Sequence, residues 1–365
     1  MVSQTVTKVA LKDFRSYTEF ETELSPGLTV IVGPNATGKT NLIEAIQLVT
    51  ATESFRRPKW EDVIMSGREE ATVSITSTGA DGLIEIEMRV SADIGRTYRV
   101  NGKKRSPHKV LGRIPSIVFS PDDLYMIKGP AEERRRAVDE AGDQLSTTYR
   151  SLRREYARVV RQRNTVLKSG ASELLTSLDA LLVATGSRLT AHRARLARRI
   201  TTKAQVHYAA MANKETMDVS MVPSWVRYGV ESTGFSEEEA ASGMTKALQT
   251  VKNDEMARGM TLVGPHRDDL LFLIGGADAR RSASQGQQRT AALAWKLSEL
   301  DVMEEVSGKR PLLLLDDVMS ELDASRRRAL TGLVTAGTQT VITTANLDYF
   351  DSHSLRDSLI LKLGA

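Results

Sequence analysis

The chain has 365 residues, 41% of them apolar and 26% charged, a formal net charge of +4 at pH 7 and no cysteine. This length exceeds what one hydrophobic core usually supports, so we expect two packed units, and the composition excludes a disordered or fibrous chain. The lack of cysteine excludes disulfides and thiolate chemistry. The lack of a long apolar run or a processing pattern predicts a cytoplasmic protein.

The N-terminal region predicts a strand, a turn and a helix in that order. The first 32 residues alternate between apolar and polar positions, as short strands do. A glycine-containing turn follows at 33–38, and residues 41–50 carry apolar side chains at helical spacing. Between 71 and 100, alternating stretches separated by glycine-containing turns predict antiparallel hairpins.

From residue 121 the pattern changes to long, charged, helical stretches, and alternation returns only near residue 262. We therefore predict a discontinuous α/β domain, residues 1–120 and 261–365, with a helical lobe inserted at 121–260.

The predicted lobe carries the basic character of the chain. Residues 131–210 contain 16 Lys and Arg against 8 Asp and Glu. Such a segment favours a polyanion such as nucleic acid as partner, although a solvated helical face has the same composition.

Residues 33–40 read Gly-Pro-Asn-Ala-Thr-Gly-Lys-Thr and match the phosphate-loop pattern G-x-x-x-x-G-K-S/T in full. The glycines let backbone amides converge on phosphate oxygens, and the next helix directs its positive dipole end there. Lys39 adds a charge for the β- and γ-phosphates of ATP, and Thr40 a hydroxyl for Mg²⁺. The alternative is an ordinary glycine-containing turn. The predicted nucleotide contacts are Gly33, Pro34, Asn35, Ala36, Thr37, Gly38, Lys39, Thr40 and Asn41.

A second element is the apolar run at 311–315, which ends in Asp316 and Asp317. An all-apolar strand belongs inside a parallel sheet, and ligands bind at the carboxyl ends of such strands. We predict that Asp316, with Thr40, holds Mg²⁺, and that Asp317 orients or deprotonates the attacking water. Lys39, Asp316 and Asp317 are then the catalytic residues. A buried strand followed by acidic helix caps is the alternative.

A third element is the sequence Ser-Ala-Ser-Gln-Gly-Gln-Gln-Arg-Thr at 282–290, directly before a predicted helix. Residues 284–287 resemble the ABC signature Ser-Gly-Gly-Gln, with Gln285 in place of the first glycine. A helix N-terminus with a serine hydroxyl is a second anion site, and its predicted contacts are Ser284, Gly286 and Gln287. Because one loop already surrounds the phosphates, a second copy best supplies this site, which predicts an ATP-dependent dimer. An ordinary N-capped helix is the alternative.

Further stretches resemble the RecF family of bacterial DNA-repair ATPases. They occur in the family's order at 11–17, 54–56, 118–124, 134–136, 161–164, 264–270 and 284–289. The resemblance implies an ABC/SMC-type P-loop ATPase head with an inserted helical lobe, Arg15 as a further nucleotide contact, and slow, DNA-stimulated ATP hydrolysis. It also implies recombinational DNA repair at gaps or single-strand/double-strand boundaries, with RecR as partner and, indirectly, RecO and RecA.

Candidate DNA contacts are basic side chains without a base-reading motif, so only phosphate contacts are expected. They are Arg56, Arg57, Arg153, Arg154, Arg158, Arg161, Arg195, Arg198 and Arg199. Where these families carry a switch histidine, Ala345 and Asn346 stand instead, with Thr343, Thr344 or Asn346 as substitutes. For His266 a packing role is preferred over a catalytic one.

Two other functional classes remain as alternatives. An SMC-like chromosome-organising ATPase would carry a long heptad arm, and an ABC importer subunit would not need a basic helical lobe. A P-loop kinase or GTPase is disfavoured because the chain has no Asn-Lys-x-Asp guanine motif.

Overall fold

The computed structural model describes residues 4–170, 172–212, 215–335, 337–350 and 355–364. The chain forms two compact units, the first Met1–Leu124 with Lys296–Ala365 and the second Tyr125–Trp295. Residues 261–295 group with the second unit, whereas the sequence analysis predicted them as part of the α/β domain. The boundaries of the functional domains stay a prediction. Within the described ranges, no helix has the length and apolarity needed to cross a membrane.

Strands lie mainly before residue 120 and helices mainly after it. The strands are β1 (Thr5–Phe14), β2 (Tyr17–Glu23), β3 (Leu28–Val32), β4 (Glu70–Thr78), β5 (Ile84–Ser91), β6 (Gly95–Val100), β7 (Lys103–Arg105), β8 (Ser116–Phe119), β9 (Met217–Val222), β10 (Asp269–Ile274), β11 (Ala277–Asp278), β12 (Leu312–Asp316), β13 (Thr340–Thr344) and β14 (Leu359–Lys362). The α-helices are α1 (Lys39–Thr50), α2 (Pro107–Val110), α3 (Tyr125–Lys128), α4 (Ala131–Leu145), α5 (Thr147–Ser169), α6 (Leu175–Met211), α7 (Glu237–Arg258), α8 (Ala279–Ser282), α9 (Gln285–Ser307) and α10 (Ala324–Thr335). Short 3-10 helices lie at Trp60–Val63, Pro121–Leu124, Ser172–Leu174, Ser224–Tyr228, Pro265–Arg267, Val318–Glu321 and Leu347–Tyr349.

The first unit contains an antiparallel six-stranded sheet in the order β2-β1-β4-β5-β6-β7. Burial alternates along β4 and β5, because one face of this sheet lies on the core and the other faces solvent. The hairpins predicted between 71 and 100 are therefore confirmed.

The same unit contains a parallel five-stranded sheet in the order β14-β3-β13-β12-β8. Every residue of β12 and β13 is buried, as expected for inner strands of a parallel sheet. Apolar side chains of α1 share one core with both sheets, among them Leu42, Ile46 and Val49. This packing fixes the start of α1 at the carboxyl end of β3.

The second unit is mainly helical, as predicted, with a core of α5, α6 and α7 side chains such as Tyr156, Leu189 and Met244. It also has a small sheet in the order β11-β10-β9. The sequence interpretation missed β9, although burial alternates over its first four residues. Strand β10 pairs with β9 and not with the parallel sheet.

Buried ion pairs hold the second unit together. Arg134 Nε lies 2.8 Å from Asp269 Oδ1, Arg163 Nη2 lies 2.6 Å from Glu255 Oε2, and Arg193 Nε lies 3.0 Å from Asp139 Oδ1. Charges this deep in a protein are tolerated only when they are paired and hydrogen bonded. Part of the positive charge of residues 131–210 is therefore structural and does not face a partner.

His266 is a packing residue in this core. Its Nδ1 lies 2.6 Å from the Tyr156 hydroxyl, and its Nε2 lies 3.1 Å from the carbonyl oxygen of Thr261. A neutral ring satisfies both contacts, because the tyrosine donates to Nδ1 and the protonated Nε2 donates to the carbonyl. Burial lowers the pKa of His266 to about 4, which keeps it neutral at physiological pH.

Candidate functional site

The loop at residues 33–40 connects β3 to α1, and its two glycines are required for different reasons. A Cβ at Gly33 would lie 2.4 Å from the backbone oxygen of Leu363, so close approach of the C-terminal segment excludes a side chain. Gly38 has φ 97°, and a Cβ there would also lie 2.9 Å from Ser16 Oγ. Close packing therefore requires glycine at position 33, and a left-handed backbone requires it at position 38.

Lys39 lies inside this loop. Its Nζ donates hydrogen bonds to the carbonyl oxygens of Gly33 (2.7 Å) and Pro34 (2.8 Å), and the side chain is buried. The cation is therefore held within the turn whose amides are expected to bind phosphate.

Asp316 ends the buried strand β12, and hydroxyl groups from two other elements contact it. Thr343 Oγ1 on β13 donates to Asp316 Oδ1 (2.8 Å), and the Thr40 hydroxyl on α1 lies near enough to this carboxylate to stabilise its charge. Burial raises the pKa of Asp316, and the two threonine hydroxyls partly oppose this rise. The predicted metal residues Thr40 and Asp316 therefore lie side by side. A hydroxyl with one carboxylate, completed by phosphate and water, fits Mg²⁺.

Asp317 is held in a strained conformation next to Asp316. Its backbone has φ 49°, and its amide donates to Thr343 Oγ1 (2.9 Å). Its Oδ1 is buried without a hydrogen-bond partner among the described residues. Burial raises the pKa of Asp317, the Lys39 ammonium lowers it, and the Glu321 carboxylate raises it. Strain together with an unsatisfied buried oxygen is the pattern found at functional sites.

The turn between β1 and β2 packs on the same loop. Tyr17 Oη donates to the carbonyl oxygen of Gly38 (3.1 Å), and Asn41 Nδ2 donates to Ser16 Oγ (3.0 Å). Arg15, with φ 53°, donates through Nε and Nη2 to Glu44 and through Nη1 to the Asp62 carbonyl. Arg15 lies beside the loop helix, and its contact with a nucleotide stays a prediction.

Glu44 is a site residue that the sequence interpretation missed. It lies on α1 with its side chain 0% exposed, and its carboxylate accepts from Arg15, from Ser54 Oγ (2.6 Å) and from Arg56 Nη1 (3.3 Å). Arg56 also donates to Asn41 Oδ1 (2.9 Å). Helical spacing carried no signal for Glu44, because it lies on the helix face opposite Leu42 and Ile46, where a solvated carboxylate is ordinary.

The predicted signature segment lies in the second unit, where Ser284 directly precedes α9 and residues 285–287 form its first turn. Ser284 N donates to Gln287 Oε1 (2.7 Å), and Gln287 N donates to Ser284 Oγ (3.2 Å). This reciprocal pair is a capping box, which fixes Ser284 at the helix start. The predicted helix is confirmed, but it begins at Gln285, inside the segment, and not after residue 290 as the sequence indicated.

The candidate DNA-contacting arginines fall into different environments. Arg153 Nη2 lies 2.5 Å from Asp143 Oδ2, so this side chain is used in an internal pair. Arg154, Arg158 and Arg161 are exposed along one face of α5, at helical spacing. Among the described residues, no carboxylate pairs with Arg158 or Arg161. Arg195, Arg198 and Arg199 are exposed on α6.

A parallel sheet with a phosphate loop after β3, two adjacent carboxylates at the end of β12 and a signature-like helix start define an ABC/SMC-type P-loop ATPase with an inserted helical lobe. This confirms the predicted fold class.

Comparison with known proteins identifies the family. The RecF/RecN/SMC N terminal domain family matches residues 5–358. The DNA replication and repair protein RecF of Symbiobacterium thermophilum is 40% identical over 340 residues, covering 92% of this chain and 90% of the relative. The solved recombination mediator protein RecF-ATP of the RecFOR pathway is 31% identical with TM-score 0.86, covering 95% and 94% of the two chains. The chain belongs to the RecF family of DNA replication and repair proteins.

A more distant comparison concerns the fold alone. The Smc head domain of Pyrococcus furiosus, with an extended coiled coil bound to the C-terminal domain of ScpA, has TM-score 0.54 and 16% identity. The match covers 95% of this chain and 90% of the Smc chain.

Proposed function

We propose that this chain is a cytoplasmic, DNA-dependent ATPase of recombinational repair, and that two copies of it hold two ATP molecules between them. One observation carries the proposal: Lys39, the Thr40–Asp316 pair and the strained Asp317 lie together at the carboxyl ends of β3 and β12. The solved RecF-ATP relative supports ATP as the nucleotide.

Each residue of this cluster has a distinct role in the proposal. The loop amides and the Lys39 ammonium bind the β- and γ-phosphates. Thr40 and Asp316 hold Mg²⁺, which neutralises charge on the phosphate oxygens when it is bound. Asp317 keeps its unpaired Oδ1 available to accept a hydrogen bond from the attacking water, and Thr343 fixes the Asp317 backbone amide.

The signature segment is proposed to bind the nucleotide of the second copy. Because Ser284 Oγ accepts its hydrogen bond from the Gln287 amide, the hydroxyl proton remains available to donate to a phosphate. Gly286 and Gln287 lie in the first turn of α9, whose positive dipole end favours an anion. In a two-fold dimer each copy would contribute this segment once, which gives two shared sites.

DNA is proposed to bind through its phosphates. The exposed arginines of α5 lie along one helix face, which suits a backbone that carries charge at regular intervals. Neutralising about five phosphates predicts a log–log salt slope near −4.5. Action at gaps or single-strand/double-strand boundaries, together with RecR, RecO and RecA, belongs to this proposal. The RecFOR pathway of the solved relative supports RecO and RecR as partners.

The test is the assembly state of two variants, measured by sedimentation with and without ATP. Lys39→Ala should lose ATP-driven dimerisation, because the phosphates lose their cation. Asp317→Asn should bind ATP, hydrolyse it slowly and remain dimeric. Lys12→Ala, an exposed lysine on β1, serves as the matched control and should behave as the wild type. A Lys39→Ala variant that dimerised on adding ATP would contradict the shared-site proposal.

Stimulation of ATP hydrolysis by DNA separates the proposal from its rivals. An importer subunit should turn over ATP at the same rate with and without duplex DNA. A salt-independent affinity for DNA would exclude binding through phosphates.

A further inference from the structure

Glu215 connects the end of the basic helix α6 to the signature segment. One carboxylate oxygen, Oε1, accepts a hydrogen bond from Gln287 Nε2 (2.6 Å). The other, Oε2, accepts from the hydroxyl of Tyr208 (3.0 Å), which lies in the last turn of α6 and is fully buried. All three residues belong to the second unit. A single carboxylate therefore bridges α6, which carries candidate DNA contacts, and the start of α9, which is proposed to bind nucleotide.

The contact with Gln287 determines how the signature segment is held. The Gln287 amide uses its oxygen to accept from Ser284 N (2.7 Å) and its nitrogen to donate to Glu215. A hydrogen bond to an ionised carboxylate is stronger than one between neutral groups. Glu215 therefore selects the orientation of the amide, and that orientation presents the oxygen to Ser284.

The contact with Tyr208 makes Glu215 follow α6. This helix also bonds to the strand that follows Glu215: Gln205 Nε2 donates to Asp218 Oδ1 (3.0 Å), and Thr201 Oγ1 donates to the Val219 carbonyl (3.4 Å). The preceding turns of α6 expose Arg195, Arg198 and Arg199. A shift of α6 caused by a polyanion on these arginines would therefore move Glu215 with the helix.

We propose that Glu215 is a positioning residue that transmits the binding of a nucleic-acid backbone on α6 to the Ser284 end of α9. The inference rests on the proposed function and deepens it, since it names how DNA stimulates ATP hydrolysis. Glu215 itself contacts neither DNA nor nucleotide. It acts through Gln287, which sets the Ser284 backbone.

The experiment compares ATP turnover with and without a duplex oligonucleotide that carries a single-stranded extension. Tyr208→Phe removes one hydroxyl and keeps the ring, and Glu215→Gln keeps the shape and removes the charge. Both variants should keep DNA affinity within about twofold, because neither residue is among the proposed DNA contacts. Their ratio of stimulated to basal turnover should fall toward one. Glu231→Gln, an exposed carboxylate of the same unit, is the matched control and should keep the wild-type ratio.

A charge exchange tests the hydrogen bond itself. Gln287→Glu places two carboxylates against each other and should abolish stimulation, since like charges at this distance repel. Combining it with Glu215→Gln restores an amide-to-carboxylate contact and should recover most of the stimulation. The readout is the ratio of stimulated to basal turnover, which cancels any loss of nucleotide binding caused by a carboxylate in the signature segment. A double variant with a ratio no better than that of Gln287→Glu alone would overturn the proposal, because the restored contact would then not restore the coupling.

The outcomes separate the inference from the function beneath it. A wild-type protein whose turnover ignores DNA would refute the DNA-dependent ATPase and, with it, the coupling. A wild-type protein that DNA stimulates, with Tyr208→Phe and Glu215→Gln stimulated equally, would leave the function intact and overturn the role of Glu215.

Discussion

Glu44→Gln is expected to destabilise the first unit strongly, although it only replaces one carboxylate oxygen with an NH₂ group. The carboxylate of Glu44 is fully buried and accepts from Arg15 twice, from Ser54 and from Arg56. A glutamine has one acceptor oxygen, and its NH₂ group would face a guanidinium donor. Two cations would therefore lose their counter-charge, and one of them would meet a donor.

The magnitude follows from how exposed the two arginines are. Removing one partner of a buried ion pair costs about 3–5 kcal/mol, because the remaining charge is uncompensated. The side chains of Arg15 and Arg56 retain 19% and 40% exposure, so water can solvate part of the stranded charge. We therefore expect a loss near the lower end, about 3 kcal/mol of unfolding free energy.

Urea unfolding followed by circular dichroism measures this loss, and hydrogen exchange of the α1 amides locates it in the first unit. Glu87→Gln is the matched control, because Glu87 pairs with Arg89 on an exposed strand face, where such pairs contribute about 0–1 kcal/mol. A loss below about 1 kcal/mol for Glu44→Gln would refute the reasoning, since both arginines would then be adequately solvated without their partner.

Three further outcomes are expected. The pKa of His266 is lower in the folded protein than in the unfolded chain, so as pH falls His266 is protonated first in the unfolded chain, which stabilises that state. The stability advantage of wild type over His266→Gln in urea unfolding should therefore shrink by about 3 kcal/mol as pH falls from 6.5 to 4. Arg158→Gln combined with Arg161→Gln should weaken DNA binding for all sequences alike and reduce the log–log salt slope by about 1.8, measured by fluorescence anisotropy, whereas a slope that does not change would remove α5 from the DNA surface. Ala36→Gly should stabilise by up to about 1 kcal/mol in thermal unfolding, because glycine relieves a left-handed backbone, partly offset by its greater freedom when unfolded.

The parts of the fold that local patterns encode were predictable from sequence. The loop at 33–40 and the helix after it depend on glycine spacing and apolar periodicity within a few residues, and both are confirmed. The buried strand ending at Asp316 was equally predictable from sequence, because an unbroken apolar run favours an inner parallel strand.

What depends on tertiary contacts was not predictable. From sequence alone Glu44 is an ordinary helix residue, because its partners Arg15 and Ser54 lie elsewhere in the chain and contact it only in the folded protein. In the same way, composition could not separate Arg163, which is buried against Glu255, from Arg161 two residues earlier, which is exposed. Strand β9 was missed because six residues between long helices give too weak a signal on their own.

The strained residues of the site explain why the Glu44 contacts matter beyond stability. Arg15, Ala36 and Asp317 all have positive φ although none is glycine, and each such residue costs about 1–2 kcal/mol. Strain of this kind persists only where surrounding contacts compensate for it. Glu44 anchors Arg15 directly, so it fixes the turn whose neighbouring residues pack on Gly38 and Asn41. The phosphate-loop pattern thus identifies the site, whereas a residue outside that pattern stabilises the turn packed against it.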